Sequence, residues 1–174
     1  MAGPRRSSGT RVTRRAVTST PATKRLAADN VDYNVVEFRA RDFTAEEVAR
    51  ELGLPISEVI KTLVVRGDSG VILAMVSADR ELSTRKLARA LGERLVDLVD
   101  QRDIQRLTGY LKGGVSPLGI SVRGVTRYPV VIDERVLTRE RVSFSGGRRG
   151  VQILIAPTDL VRATEARVAD IARD

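Results

Sequence analysis

The stretch Val59-Ile-Lys-Thr-Leu-Val-Val-Arg-Gly-Asp-Ser-Gly-Val-Ile-Leu-Ala-Met-Val-Ser77 decides the fold. Two apolar, β-branched runs, Ile60 to Val65 and Val71 to Ser77, flank Gly67-Asp-Ser-Gly70, whose residue types suit a tight turn. That pattern predicts an antiparallel hairpin. The period changes on either side of it. Upstream, Val31, Tyr33, Val35 and Val36 to Phe38 read as a first strand. Thr44-Ala-Glu-Glu47 then has capping-box spacing: the Thr44 hydroxyl takes a free backbone N–H and Glu47 returns the bond. Phe43, Val48, Ala49 and Leu52 share one helical face, and Gly53 ends that helix. Pro55 to Val59 makes a short helical turn.

Downstream, Ser83 or Thr84 caps a helix running to about Leu91, followed by Gly92. Leu95 to Val99 is strand-like and Asp100 to Leu107 helical. Pro129 to Ile132, Val142 to Ser145 and Val151 to Ile155 read as strands, the last with Val151, Ile153 and Ile155 on one side. Pro157 to about Arg173 reads as one helix or two short ones. Strands and helices interleave irregularly around hairpins, so the expected class is mixed α/β (α+β), not a doubly wound sheet.

The chain has 174 residues, which fits one domain better than two. Hydrophobic residues make up 42%, but aromatics only 3%, so aliphatic side chains must fill the core. Cysteine and histidine are both absent. Cysteine nucleophiles, disulfides and thiolate metal sites are therefore excluded, as are histidine bases, Ser-His-Asp triads and the usual zinc ligand sets. No metal or cofactor is expected. Catalysis would fall to Lys, Arg, hydroxyls, carboxylates, backbone groups or the substrate itself.

The net charge of +8 is unevenly placed. Residues 1–28 carry Arg5, Arg6, Arg11, Arg14, Arg15, Lys24 and Arg25 and no acid. Residues 29–174 are almost neutral, with 23 basic and 22 acidic side chains. The expected organisation is a disordered basic arm over 1–28 and one domain over 29–174. The arm reads as a solvated tail, a wrongly placed start, a phosphate-binding segment or an Arg- and Ser-rich transit peptide. No hydrophobic segment suited to secretion follows it, and runs such as Val71 to Val76 are too short to span a bilayer. The expectation is a cytoplasmic protein with no membrane partner.

Only four lysines stand against 26 arginines: Lys24, Lys61, Lys86 and Lys112. Lys61 interrupts an apolar strand, where a buried charge without a partner is costly. Either the strand lies at an edge with Lys61 facing water, or the ammonium serves a site that holds an anionic or carbonyl oxygen. Gly113-Gly114 and Gly146-Gly147 permit positive φ and close backbone approach. Their N–H groups could form an oxyanion-binding nest, or the pairs could be ordinary tight turns. Neither loop has Walker A or dinucleotide-binding spacing. Ser116 and Ser145 lie in these loops without a histidine to activate them. Arg148 and Arg149 either meet a phosphate or are simply solvated.

Three segments, Val59-Ile-Lys-Thr-Leu-Val-Val65, Thr108-Gly-Tyr-Leu-Lys-Gly-Gly-Val-Ser-Pro-Leu-Gly119 and Ser145-Gly-Gly-Arg-Arg-Gly150, resemble the YbaK/EbsC family of aminoacyl-tRNA deacylases. The likeness covers roughly residues 31–174, and the Gly-Tyr-Leu-x-Gly-Gly-x-Ser-Pro-Leu-Gly stretch carries most of it. Members are stand-alone relatives of the editing domain of bacterial prolyl-tRNA synthetases. The resemblance implies a central, partly barrel-like mixed sheet surrounded by helices. It also implies a trans-editing reaction, deacylation of mischarged Cys-tRNA(Pro) and also of Cys-tRNA(Cys). The near-neutral charge of residues 29–174 points to weak tRNA binding, so prolyl-tRNA synthetase is the expected partner, and the oligomeric state, monomer or dimer, is left open.

Carried onto this chain, the family pattern gives Lys61 and Gly113 the catalytic work: Lys61 holds the terminal ribose or the carbonyl oxygen, and Gly113 sets backbone N–H groups against the ester carbonyl. Phe38, Thr62, Gly114, Ser116, Pro117, Ser145, Gly146 and Gln152 fall to substrate binding. The cysteine thiol of the substrate is the implied nucleophile and leaves as a cyclic thiolactone. Phe38 and Gln152 depart from relatives that carry a tyrosine and an acid there, which leaves the amino acid open. The alternatives are a deacylase for alanine or serine esters, a non-catalytic tRNA-binding module, or a small-molecule binder built on Lys61 and the glycine loops.

Overall fold

The computed structural model describes residues 12–13 and 18–173. The predicted hairpin is its centre. Strands β3 (Ile60–Gly67) and β4 (Gly70–Ser77) pair antiparallel in unbroken register from Ile60↔Ser77 to Gly67↔Gly70. They belong to a five-stranded sheet in the order β5-β3-β4-β6-β9. Here β5 (Val96–Leu98) pairs antiparallel with β3, while β6 (Val130–Asp133) and β9 (Arg167–Ala169) extend β4 in parallel. A second, antiparallel sheet has the order β1-β2-β8-β7, from β1 (Val12–Thr13), β2 (Asn34–Glu37), β7 (Val142–Ser145) and β8 (Val151–Ile155). A parallel bridge, Val59↔Ser143, joins the two sheets. The mixed α/β class is as expected. The sheet is not one barrel-like surface, however: it is two sheets that do not close.

The main core lies between the sheets. Phe144 and Ile153 of the four-stranded sheet pack with Ile60, Leu73, Met75 and Ile132 of the other. On the far face, Ile72, Ala74 and Val76 of β4 meet Leu87 and Ala88 of helix α3 (Thr84–Leu91) and Ile171. β4 is thus covered on both faces, which is why it reads as a continuous apolar run. The same holds for β8, whose five residues are all buried: Ile153 and Ile155 share the main core, as their common side predicts, and Leu154 packs with Val36 and Leu54.

The helix signals predict most boundaries. Ser83 caps α3 through Lys86 N–H, and Gly92 ends it in the left-handed region. Asp100 caps α4 (Gln101–Thr108), and Thr44 and Gly53 bound α2 (Ala45–Leu52). Three expectations are corrected. Residues 1–11 and 14–17 of the expected arm lie outside the described residues, but Pro21–Ala28 form helix α1, with Thr20 and Thr23 in a reciprocal capping box. Ala22 and Leu26 are fully buried in the main core, so this segment is part of the domain. At the other end, α5 (Pro157–Thr164) stops because Glu165 turns left-handed, and the chain continues into β9 rather than a second helix. Finally, Glu47 does not return the capping bond to Thr44; its carboxylate goes to the preceding loop. Phe43 is correspondingly not part of the helical face: it is 44% exposed with φ +56°.

Candidate functional site

Strand β3 is only partly flanked on the side away from β4. β5 pairs with it over Val65 to Gly67, and the Val99 N–H donates to the Val64 carbonyl. At the other end Val59 bridges Ser143. Between these points, along Lys61 to Leu63, no described strand pairs with this edge. A cavity of ≈ 730 Å³ opens there. Apolar side chains such as Val48, Val59, Ile104 and Val115 form much of its wall, and Lys61, Thr62, Lys112, Gly113, Ser145 and Gln152 supply polar groups. Strand alternation puts Lys61 and Thr62 on opposite faces of β3. The open edge lets both border the same space.

Lys61 is partly buried, and its ammonium has no hydrogen-bond or ion-pair partner among the described residues. The Thr62 hydroxyl is buried and likewise unpartnered. Gly113 has φ +81°, which favours glycine, and a β-carbon there would lie a tight 3.3 Å from Phe43 Cβ. The Gly114 N–H is spent on the Leu111 carbonyl at 2.9 Å. Of the pair, Gly113 therefore has the N–H left without an acceptor among the described residues.

The two glycine loops meet. Arg149 Nε donates to the Lys112 carbonyl at 3.0 Å, and its guanidinium stacks over the Phe43 ring, 4.2 Å from the centroid. The Tyr110 ring packs where a β-carbon at Gly147 would sit, 2.9 Å away. Burial pushes the Tyr110 phenol up to about 12, so it keeps its proton and donates to the Leu118 carbonyl at 2.6 Å. The second loop satisfies itself: Gly146 N–H bonds Val151 O, and Gly147 N–H donates to Ser145 Oγ. It offers no nest at Gly146, which is instead held against Val151.

Of the ten residues implied by the resemblance, Lys61, Thr62, Gly113, Ser145 and Gln152 line the cavity. Gly114, Ser116, Pro117, Gly146 and Phe38 do not. Ser116 is fully buried and accepts the Leu118 N–H, a turn-forming role. Phe38 donates its N–H to the Gly150 carbonyl and so ties the end of β2 to the second loop. Gln152 accepts a bond from the Ser143 hydroxyl at 2.9 Å, both groups being buried. Phe43, Asp100 and Gln101 line the cavity and were not singled out by the sequence. Asp100 sits just before α4 as its cap. The Arg102 guanidinium and peptide N–H hold its carboxyl below the usual carboxylate range, which makes it a weak base.

One cavity thus gathers a strand lysine, a loop N–H without an acceptor among the described residues and an unpartnered hydroxyl. Comparison with known proteins gives the family. The sequence model of the aminoacyl-tRNA editing domain matches residues 42–163, and the chain belongs to that family. EbsC of Enterococcus faecalis, named for deacylation of Cys-tRNA(Pro) and Cys-tRNA(Cys), is 32% identical over 155 residues, 87% of this chain and 92% of its own. The proline–tRNA ligase of Desulforamulus reducens is 42% identical over 77 residues, 44% of this chain but 14% of that enzyme. A crystal structure described as a trans-editing enzyme for prolyl-tRNA synthetase superposes with TM-score 0.76 at 28% identity, covering 90% of this chain and all of that one (100%). No helix among the described residues is long and apolar enough to cross a membrane.

Proposed function

We propose that the chain is a trans-editing deacylase that cleaves the ester of Cys-tRNA(Pro), and of Cys-tRNA(Cys), with the substrate's own thiol as nucleophile. The observation that carries this reading is the cavity at the open β3 edge, which gathers polarising groups but no thiol or imidazole. The likeness to EbsC over nearly its whole length supports the substrate.

In this mechanism the cysteine thiolate attacks the carbonyl carbon of its own ester. A carbon–sulfur bond forms, the bond from that carbon to the ribose oxygen breaks, and the proton that the thiol gave up to solvent is returned by solvent to the ribose oxygen. The products are a cyclic thiolactone and uncharged tRNA. The protein supplies positioning and charge stabilisation. Lys61 and the Gly113 N–H face the developing oxyanion, while Thr62, Ser145 and Gln152 orient the ribose and the aminoacyl group. A pocket separates similar-sized amino acids poorly, which is why a second, deacylating site is needed after cysteine is charged in place of proline. Prolyl-tRNA synthetase is the proposed partner, since residues 29–174 are nearly neutral and offer little net charge for holding RNA on their own. The arginines of residues 1–17 add sequence-independent phosphate contacts, in a protein that works in the cytoplasm.

The test is a deacylation assay on Cys-tRNA(Pro), Ala-tRNA(Pro) and Pro-tRNA(Pro), with and without prolyl-tRNA synthetase. Rapid loss of the cysteinyl ester alone is expected. Loss of the alanyl ester instead would keep the deacylase and reject the thiol mechanism. No cleavage above buffer in any mixture would reject the enzyme.

A further inference from the structure

Glu47 is an acid at 2% exposure that the chemistry above does not use. Its Oε1 accepts the Arg41 N–H at 2.6 Å, and its Oε2 accepts those of Asp42 at 3.0 Å and Phe43 at 2.9 Å. Three successive peptide groups therefore converge on one carboxylate from the next helix, α2. Charge-assisted bonds of this kind are about twice as strong as neutral ones. What they hold is an unusual conformation: Phe43 has φ +56°, sparsely populated for a bulky residue. The Phe43 ring lies under the Arg149 guanidinium, and its Cβ faces the Gly113 turn. Arg149 in turn binds the Lys112 carbonyl. One buried carboxylate thus sits behind the contact point of the 41–43 loop and both glycine loops.

We propose that Glu47 is a positioning residue for the cavity: it fixes Arg41 to Phe43 so that Phe43 forms a rigid wall beside the Gly113 N–H. The functional half of this inference rests on the deacylase reading. Without Glu47 the loop would lose the three bonds that hold Phe43 in its left-handed conformation, and the wall would relax away from Gly113. A purely structural Glu47 would instead lower the stability of the whole domain and act on activity regardless of what stands at position 43.

The test uses the full chain with Glu47→Gln, Phe43→Ala and the double variant. Glutamine keeps the length but loses the charge and one acceptor oxygen. Amide hydrogen exchange in the free protein is expected to rise at least about tenfold at Arg41, Asp42 and Phe43 while β4 amides stay protected. In deacylation, Glu47→Gln is expected to lower kcat/KM about tenfold in the parent and less than about twofold when Phe43 is already alanine. Equal losses in both backgrounds, or unchanged exchange at the three amides, would overturn the proposal. Should Glu47→Gln not fold, Glu47→Asp keeps the charge but draws it back by one methylene, and the same pattern is expected. If the parent cleaves no ester, the deacylase reading falls, while the exchange at the three amides still decides whether Glu47 holds the loop.

Discussion

Replacing Lys61 with methionine separates catalytic from structural roles more sharply than any other change. The thioether keeps most of the stem that packs along β3 and removes the ammonium. Lys61 is partly buried and its ammonium has no ion-pair or hydrogen-bond partner among the described residues, so its charge is a cost to the fold rather than a support. Stability is therefore expected to hold or to rise by up to about 1 kcal/mol. The transition state responds in the opposite direction. Removing one preorganised donor from a developing oxyanion costs about 2.7–4 kcal/mol, or roughly 100- to 1000-fold in kcat. Lys61→Arg restores the charge but not the compact geometry, and recovers about tenfold at most. Single-turnover deacylation of Cys-tRNA(Pro) measures the first effect and urea unfolding the second. The reasoning fails if kcat for Lys61→Met stays within about fivefold of the parent. It fails equally if unfolding free energy drops by more than about 1 kcal/mol alongside the activity, because Lys61 would then be a structural residue.

Thr62→Val removes the buried, unpartnered hydroxyl at nearly constant volume. Urea unfolding should show a change from zero to about 1 kcal/mol more stable, while deacylation falls; unchanged activity would remove the hydroxyl from the site. Leu26→Ala tests whether α1 belongs to the domain: full burial predicts a loss of about 2–5 kcal/mol in unfolding free energy, and a loss under 1 kcal/mol would return the helix to the arm. Replacing Arg5, Arg6, Arg11, Arg14 and Arg15 by serine removes these charges and leaves β1 in the chain. Saturated turnover should be unchanged, with KM for tRNA raised and its salt dependence shallower; an unaltered salt slope would show that these arginines do not contact RNA.

The sequence made the local elements legible because their signals are local. Thr44, Ser83 and Asp100 each cap the helix they precede, and Gly53 and Gly92 end theirs. It misled where tertiary packing overrode a local cue. The α1 segment lies in an acid-free, Ser- and Thr-rich stretch that reads as arm, and only the burial of Ala22 and Leu26 against the core makes it a helix worth forming. Arg167–Ala169 adds a parallel strand that depends on β6, far away in sequence. Site residues divided for the same reason. A strand lysine is conspicuous in an apolar run, whereas Phe43 looks like a core position and becomes a cavity wall only because Glu47 captures the loop before it. Ser116 and Pro117 stand in the most recognisable motif of the chain, yet they build the turn behind the cavity rather than its surface.

The departures from local ease explain why that cavity exists. Four described residues other than glycine have positive φ: Asn30, Phe43, Arg123 and Glu165. Asn30 follows α1 and Glu165 ends α5, where a left-handed residue is an ordinary way to stop a helix. Arg123 lies within the small turn closed by Val122 and Val125. Phe43 has no such reason, since it precedes a helix and is the bulkiest of the four. The unpaired β3 edge and the orphaned Thr62 hydroxyl border the same cavity. Each is a feature that folding alone would remove: a strand could cover the edge, valine could replace threonine, and a smaller residue could sit at 43. Their convergence on one cavity fits a site in which the protein spends stability on placing a substrate that carries its own nucleophile. A site that supplied a nucleophile would need one reactive side chain and its base. A site that supplies only placement needs rigid walls and unspent hydrogen-bonding groups, which is what Glu47, Gly113, Lys61 and Thr62 provide.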